Sequence, residues 1–211
     1  MTRPFVVILC ILASMHGAVA HAAAPAILVL GDSLSAAYGI DPKDGWVALL
    51  EARLEAEGYP HRVVNASISG ETTSGGRRRL PDLLAAHRPE LVVIELGAND
   101  GLRGIPLREI ARNFATMLTA VAAASARALV VRMQLPPNYG PEYTEGFQAI
   151  YDSLDGEDAP VALAPFLLSN VILESELMQA DGLHPTAAAQ SRLLDTVWPS
   201  LKTQLDEPRA P

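Results

Sequence analysis

The sequence predicts an α/β protein, with a five-stranded parallel sheet covered by helices on both faces. Short strand-like segments at residues 26–30, 61–66, 91–96, 128–133 and 161–164 alternate with longer segments of helical periodicity, as in successive βα units. The runs at 26–30 and 91–96 are close to unbroken rather than alternating, which suits strands buried on both sides. The chain has 211 residues, of which 49% are hydrophobic and 19% charged, enough for one core, and no linker divides it.

The first 22 residues read as a signal peptide. Arg3 supplies a positive start, residues 5–13 an apolar stretch, and residues 18–24 small-residue cleavage choices such as Ala20-His21-Ala22. Cleavage falls between residues 20 and 24. The apolar stretch is too short to span a membrane, so the expected product is a periplasmic or secreted protein without an integral membrane segment. Cys10 is the single cysteine and lies in this leader. The mature chain, residues 23–211, is therefore one domain without thiols, disulfides or cysteine metal sites.

After the first strand, Gly31-Asp32-Ser33 allows a tight exit, and residues 35–44 form a loop. Apolar residues at 46, 47, 49, 50 and 54 give a helix over 46–57, with Gly58 as its natural cap. Residues 61–66 read as a second strand. Thr72 or Thr73 can cap a helix toward His87, which Pro81 should break or restart. The third strand, residues 91–96, runs into Gly97-Ala98-Asn99-Asp100-Gly101, which has turn chemistry. Residues 107–124 are the longest helical segment, 128–133 a fourth strand, 135–140 a stiff loop, 143–154 a weak helix and 161–164 a short fifth strand. A last helix should begin after His184-Pro185, with proline in its first turn, and falter near Pro199.

A net charge of −8 and a pI near 5.1 argue against a nucleic-acid surface. The one basic cluster, Arg77-Arg78-Arg79, reads as a solvated helix face. Of the five histidines, His16 and His21 belong to the leader, and His61, His87 and His184 form no ligand-spaced pair. No metal and no cofactor are expected.

Ser33 sits just past the carboxyl end of a strand, where open α/β sheets place their ligands. Locally, Asp32-Ser33 reads as readily as a helix cap, and so does Asp181-Gly182-Leu183-His184-Pro185. Together they supply what a serine nucleophile requires, with His184 as base and Asp181 as the acid that fixes the imidazole tautomer. The chain order is Ser–Asp–His. The tetrahedral oxyanion of acyl transfer needs preorganised donors, for which the Ser33 and Gly70 amides and the Asn99 side chain are the natural set. These residues lie beyond three different strands, and the fold class brings those strand ends to one edge of the sheet.

Gly31-Asp32-Ser33-Leu34-Ser35, Gly70 in Ser69-Gly70-Glu71-Thr72, Gly97-Ala98-Asn99-Asp100 and Asp181-Gly182-Leu183-His184-Pro185 resemble the four blocks of the GDSL/SGNH hydrolases, in the same order. The resemblance runs from about residue 26 to the last helix. Ser at position 35 separates the chain from the G-x-S-x-G elbow of the α/β-hydrolases. The resemblance implies a three-layer α/β/α sandwich of flavodoxin-like SGNH type, with Ser33, Asp181 and His184 as triad and Ser33, Gly70 and Asn99 as oxyanion hole. It further implies hydrolysis of acyl esters and thioesters, including lysophospholipids; the expected partner is a small-molecule substrate and the expected state a monomer. Leu102, Ile105, Leu135 and Pro136 are the expected acyl-binding residues, the first two on a loop hinged by Gly101 and Gly104. A carbohydrate O-deacetylase is the alternative within enzymes, and a non-catalytic binding domain on the same fold a third reading.

Overall fold

The computed structural model describes residues 24–154 and 161–207, so the signal peptide expected over residues 1–22 lies outside the described residues. Strand β1 (Ala26–Gly31) is buried along its whole length. It pairs in parallel with β2 (Arg62–Asn65) on one side and β3 (Leu91–Glu95) on the other, and β4 (Arg127–Val131) and β5 (Val161–Ala164) extend the sheet. All five are parallel in the order β2-β1-β3-β4-β5. That order reverses direction between β1 and β3, and such a switch point opens a crevice at the carboxyl edge of the sheet. Ser33 follows β1 and Asn99 follows β3, so both flank the crevice.

Helix α1 (Trp46–Ala56) packs on α6 (Gln190–Asp206), while α2 (Thr73–His87), α4 (Leu107–Ala123) and α5 (Pro141–Asp152) pack in succession on one another, which makes a three-layer sandwich. The cores of β1 and β3 are Ile, Leu and Val, all fully buried. Gly58 follows α1 with φ +81, its amide bonded to Glu55 O and that of Tyr59 to Leu54 O, a left-handed stop that glycine adopts without strain.

Three local expectations give way. Helix α2 runs unbroken through Pro81, and α6 through Pro199. Both prolines lie on exposed faces, where a freed carbonyl can be hydrated, while Leu80, Leu84, Trp198 and Leu201 beside them anchor each helix in the core. The last helix does not start at Pro185, which forms an antiparallel bridge with Met178; α6 begins at Gln190, after a 3-10 turn at Ala187–Ala189. The stretch 97–101, expected as a turn, leads instead into a short helix, α3 (Ala98–Leu102), entered through Gly97 at φ +115.

Gly31 serves space rather than backbone freedom. A Cβ there would lie 2.6 Å from Glu95 Oε2 and 2.7 Å from Ser35 Cβ. Gly31→Ala should accordingly cost about 1–3 kcal/mol of stability, as overpacking of a tight interior does. Urea midpoints of the two proteins measure this, and an unchanged midpoint would mean that the turn yields freely.

Candidate active site

Ser33 follows β1 in a turn held by Asp32, whose Oδ1 accepts from the Leu34 amide at 3.1 Å. Its Oγ lies 2.9 Å from His184 Nε2, and His184 Nδ1 lies 2.6 Å from Asp181 Oδ2. Since a carboxylate only accepts, Nδ1 carries the proton and Nε2 is left to accept from the serine. Asp181 Oδ1 also takes the Leu183 and His184 amides, at 2.9 and 3.0 Å, which wraps the loop around its carboxylate, and Gly182 turns it at φ +68. Outside that turn, Gln179 N donates to His184 O at 2.7 Å and Thr186 N to Leu177 O at 2.8 Å. The imidazole is thus fixed at both its backbone and its ring. Tyr38 packs against the same ring, with centroids 4.4 Å apart and planes at 39°.

The side-chain bond with His184, supported by the two amides, holds the Asp181 carboxyl down at about 2. A carboxyl whose folded value is depressed stabilises the fold above its unfolded value, about 3.9, and loses that contribution as pH falls through about 2. Wild type should therefore be more stable than Asp181→Asn from pH 5 to 7, with the gap closing below about pH 4. Urea titrations at each pH read it. A gap that widened toward acid would contradict the arrangement.

Asn99 Nδ2 donates to Asp32 Oδ2 at 2.9 Å, which orients the amide and leaves its second N–H for the crevice. No described residue accepts from the Ser33 or Gly70 amides. Gly70 is left-handed at φ +79, and its carbonyl accepts from Arg103 Nη2 at 3.1 Å. Beneath the Ser33 turn lies Glu95, fully buried, whose Oε2 accepts from Ser35 Oγ at 2.6 Å and from the Asp32 amide at 3.3 Å. Burial pushes the Asp32 carboxyl up to about 6 and, together with the charge of Asp32, Glu95 well above the usual carboxylate range. Asp100 has a different duty: it takes the amide and hydroxyl of Thr73, at 2.8 and 2.6 Å, and so pins the start of α2.

A cavity of about 430 Å³ opens beside Ser33 and His184, a size usual for small-molecule sites. Leu102, Leu135 and Pro136 line it as the sequence suggests. Ile105 does not: it packs on the hydrophobic core, and its carbonyl accepts from Tyr143 at 2.7 Å. The wall also contains Met133, Phe166, Leu168, Ile172 and Leu183, which sequence reasoning missed. They come from three loops, one after β4, one after β5 and the one that carries His184, without a shared periodicity. Glu95 did carry a signal, since it is the one charge in the buried run LVVIEL.

A serine, an imidazole and a carboxylate in hydrogen-bonded series, at the switch point of a parallel sheet, define a serine hydrolase of the α/β/α class. The chain belongs to the GDSL-like Lipase/Acylhydrolase family, whose profile matches residues 29–192. It is 54% identical to the esterase TesA of Pseudomonas aeruginosa, over 88% of this chain and 92% of that protein. With the thioesterase 1/protease 1/lysophospholipase L1 of Escherichia coli it shares 44% identity, over 82% of each. The crystal structure of esterase EstA from Pseudoalteromonas sp., inhibited by monoethylphosphonate, is 42% identical, covers 86% of this chain and 99% of its own, and superposes with a TM-score of 0.82. The chain is a serine enzyme that hydrolyses carboxylic esters. Among the described residues no helix is long and apolar enough to cross a membrane, and no cluster of His, Asp and Glu could hold a metal ion.

Proposed function

We propose that the enzyme cleaves esters and thioesters of medium-length acyl chains, lysophospholipids among them, through an acyl-enzyme on Ser33. His184 takes the Ser33 proton as Oγ attacks the carbonyl and returns it to the leaving alcohol or thiol. A water activated by the same imidazole then releases the acid. Asp181 keeps the proton on Nδ1 and stabilises the imidazolium. The Ser33 and Gly70 amides and Asn99 Nδ2 receive the oxyanion. The leader implies export, and a monomer suffices, because every group in this scheme comes from one chain.

The observation that carries the acyl preference is the cavity wall next to Ser33, built from Leu34, Leu102, Met133, Leu135, Phe166 and Ile172. Each methylene removed from water in such a groove contributes about 0.8 kcal/mol. Across acetyl to dodecanoyl esters, kcat/KM should rise from the shortest chains to a medium-length optimum. Leu102→Ser combined with Leu135→Ser should flatten the rise and leave acetyl ester hydrolysis nearly unchanged. A wild-type kcat/KM highest for acetyl and falling steadily with length would replace this reading with the deacetylase.

A further inference from the structure

The buried acid Glu95 has no part in the reaction just described, yet it lies directly under the nucleophile turn. It is the last residue of β3, and Asp32 is the first residue after β1, so adjacent strands bring the two carboxyls together. Both are almost wholly excluded from water, Glu95 at 0% and Asp32 at 1% exposure, and Glu95 Oε2 lies 3.3 Å from the Asp32 amide, so each carboxyl bears on the other. Two carboxylates cannot share such a site ionised, because like charges in a poorly solvated place repel and neither is hydrated.

The bonding pattern tells which of the two keeps its charge. Both oxygens of Asp32 are taken by donors: Oδ1 by the Leu34 amide and Oδ2 by Asn99 Nδ2. For Glu95, Oε2 accepts from Ser35 Oγ and the Asp32 amide, whereas Oε1 is buried and meets no donor among the described residues. A buried oxygen without a donor is costly as an acceptor, but it is satisfied if it carries a proton and donates to the neighbouring carboxylate. Gly31 makes room for this, since any Cβ there would collide with Glu95 Oε2. The other titratable groups nearby are the Tyr151 phenol on α5, which donates to Leu96 O at 2.9 Å and feels the charges of Asp32, Glu95 and Asp100, and His184, which acts on Asp32 through charge.

We propose that Glu95 is a positioning residue: it stays protonated in the resting enzyme, its Oε1–H donates to the Asp32 carboxylate, and Asp32 so held fixes the Asn99 amide toward the oxyanion. The proton does not move in the reaction. Its duty is to let Asp32 remain an anion in a buried place, because only a fully accepting Asp32 turns the nitrogen of Asn99 toward itself and its second N–H into the crevice. This rests on the reading of Asn99 as an oxyanion donor, and the test separates the two.

Infrared difference spectra of wild type against Glu95→Gln at neutral pH should show the C=O stretch of a protonated carboxylic acid in wild type and none in the variant. Glutamine keeps the same donor and acceptor positions, so Glu95→Gln should retain kcat within a few-fold. Glu95→Leu, which has neither, should lower kcat by up to about a hundredfold, as small misplacements of a catalytic group do, with KM little changed. In an Asn99→Ala background, Glu95→Leu should have no further effect on kcat. Should Glu95→Leu fail to fold, Asp32→Asn takes its place in the cycle, since an amide nitrogen facing Asn99 cannot accept. Absence of the carboxylic-acid band, Glu95→Gln as damaging as Glu95→Leu, or full additivity with Asn99→Ala would each overturn the proposal. An Asn99→Ala variant of unchanged kcat would instead remove the oxyanion reading, and the infrared band would still report the proton.

Discussion

Ser33→Ala and His184→Ala should each lower kcat/KM for a short aryl ester by about 10⁴-fold or more, and the double variant should be scarcely worse than either. The reason is geometric. The hydroxyl and the imidazole lie 2.9 Å apart and act as one unit: without the base the serine is a poor nucleophile, and without the serine the base has nothing to activate. Neither change should unfold the protein, because the loop that carries His184 is held chiefly by bonds of Asp181 and Gln179 to backbone groups. Far-ultraviolet circular dichroism and urea midpoints would establish that. Near-native turnover in folded Ser33→Ala would end the triad account.

The next largest effect should come from Asn99→Ala, with a loss of about 10²–10³ in kcat, or roughly 3 kcal/mol of transition-state stabilisation. Alanine removes the donor and also frees an oxygen of Asp32, which loses its 2.9 Å contact. The loss should fall on kcat rather than KM, since the donor meets full charge only in the tetrahedral state. Steady-state kinetics on one ester, with KM compared directly, tests it. A variant altered only in KM would make Asn99 a ground-state contact.

Much of this was legible in the chain. The unbroken apolar runs of β1 and β3 mark buried strands, and the four blocks place Ser33, Gly70, Asn99, Asp181 and His184 beyond strand ends, at the carboxyl edge of the sheet, with Asn99 on the short helix α3. What local chemistry could not tell was where tertiary packing would override it. Pro81 and Pro199 are breakers by propensity, but each sits on the wet side of a helix whose other side is fixed in the core. Strand β2 is shorter than the expected 61–66 because, at an edge of the sheet, it pairs with β1 alone and is only half buried. Ile105 looked like a groove residue from its neighbourhood, and its side chain turned into the core instead. The cavity wall was illegible for another reason: Met133, Phe166 and Leu183 meet only when three loops fold over the same crevice. Glu95 is the instructive case, a charge at the end of an apolar strand whose meaning depends on Asp32 and Gly31 across the strand pair.

The central claim is that Ser33 is the atom-donating nucleophile, activated by His184. Treating the protein with an organophosphonate ester and mapping the product by peptide mass spectrometry tests it most directly. The account predicts one covalent adduct per chain, on the peptide containing Ser33, formed in step with loss of activity, absent in Ser33→Ala and strongly slowed in His184→Ala. Full inactivation with the adduct on another residue, or labelling that persists in Ser33→Ala, would contradict it.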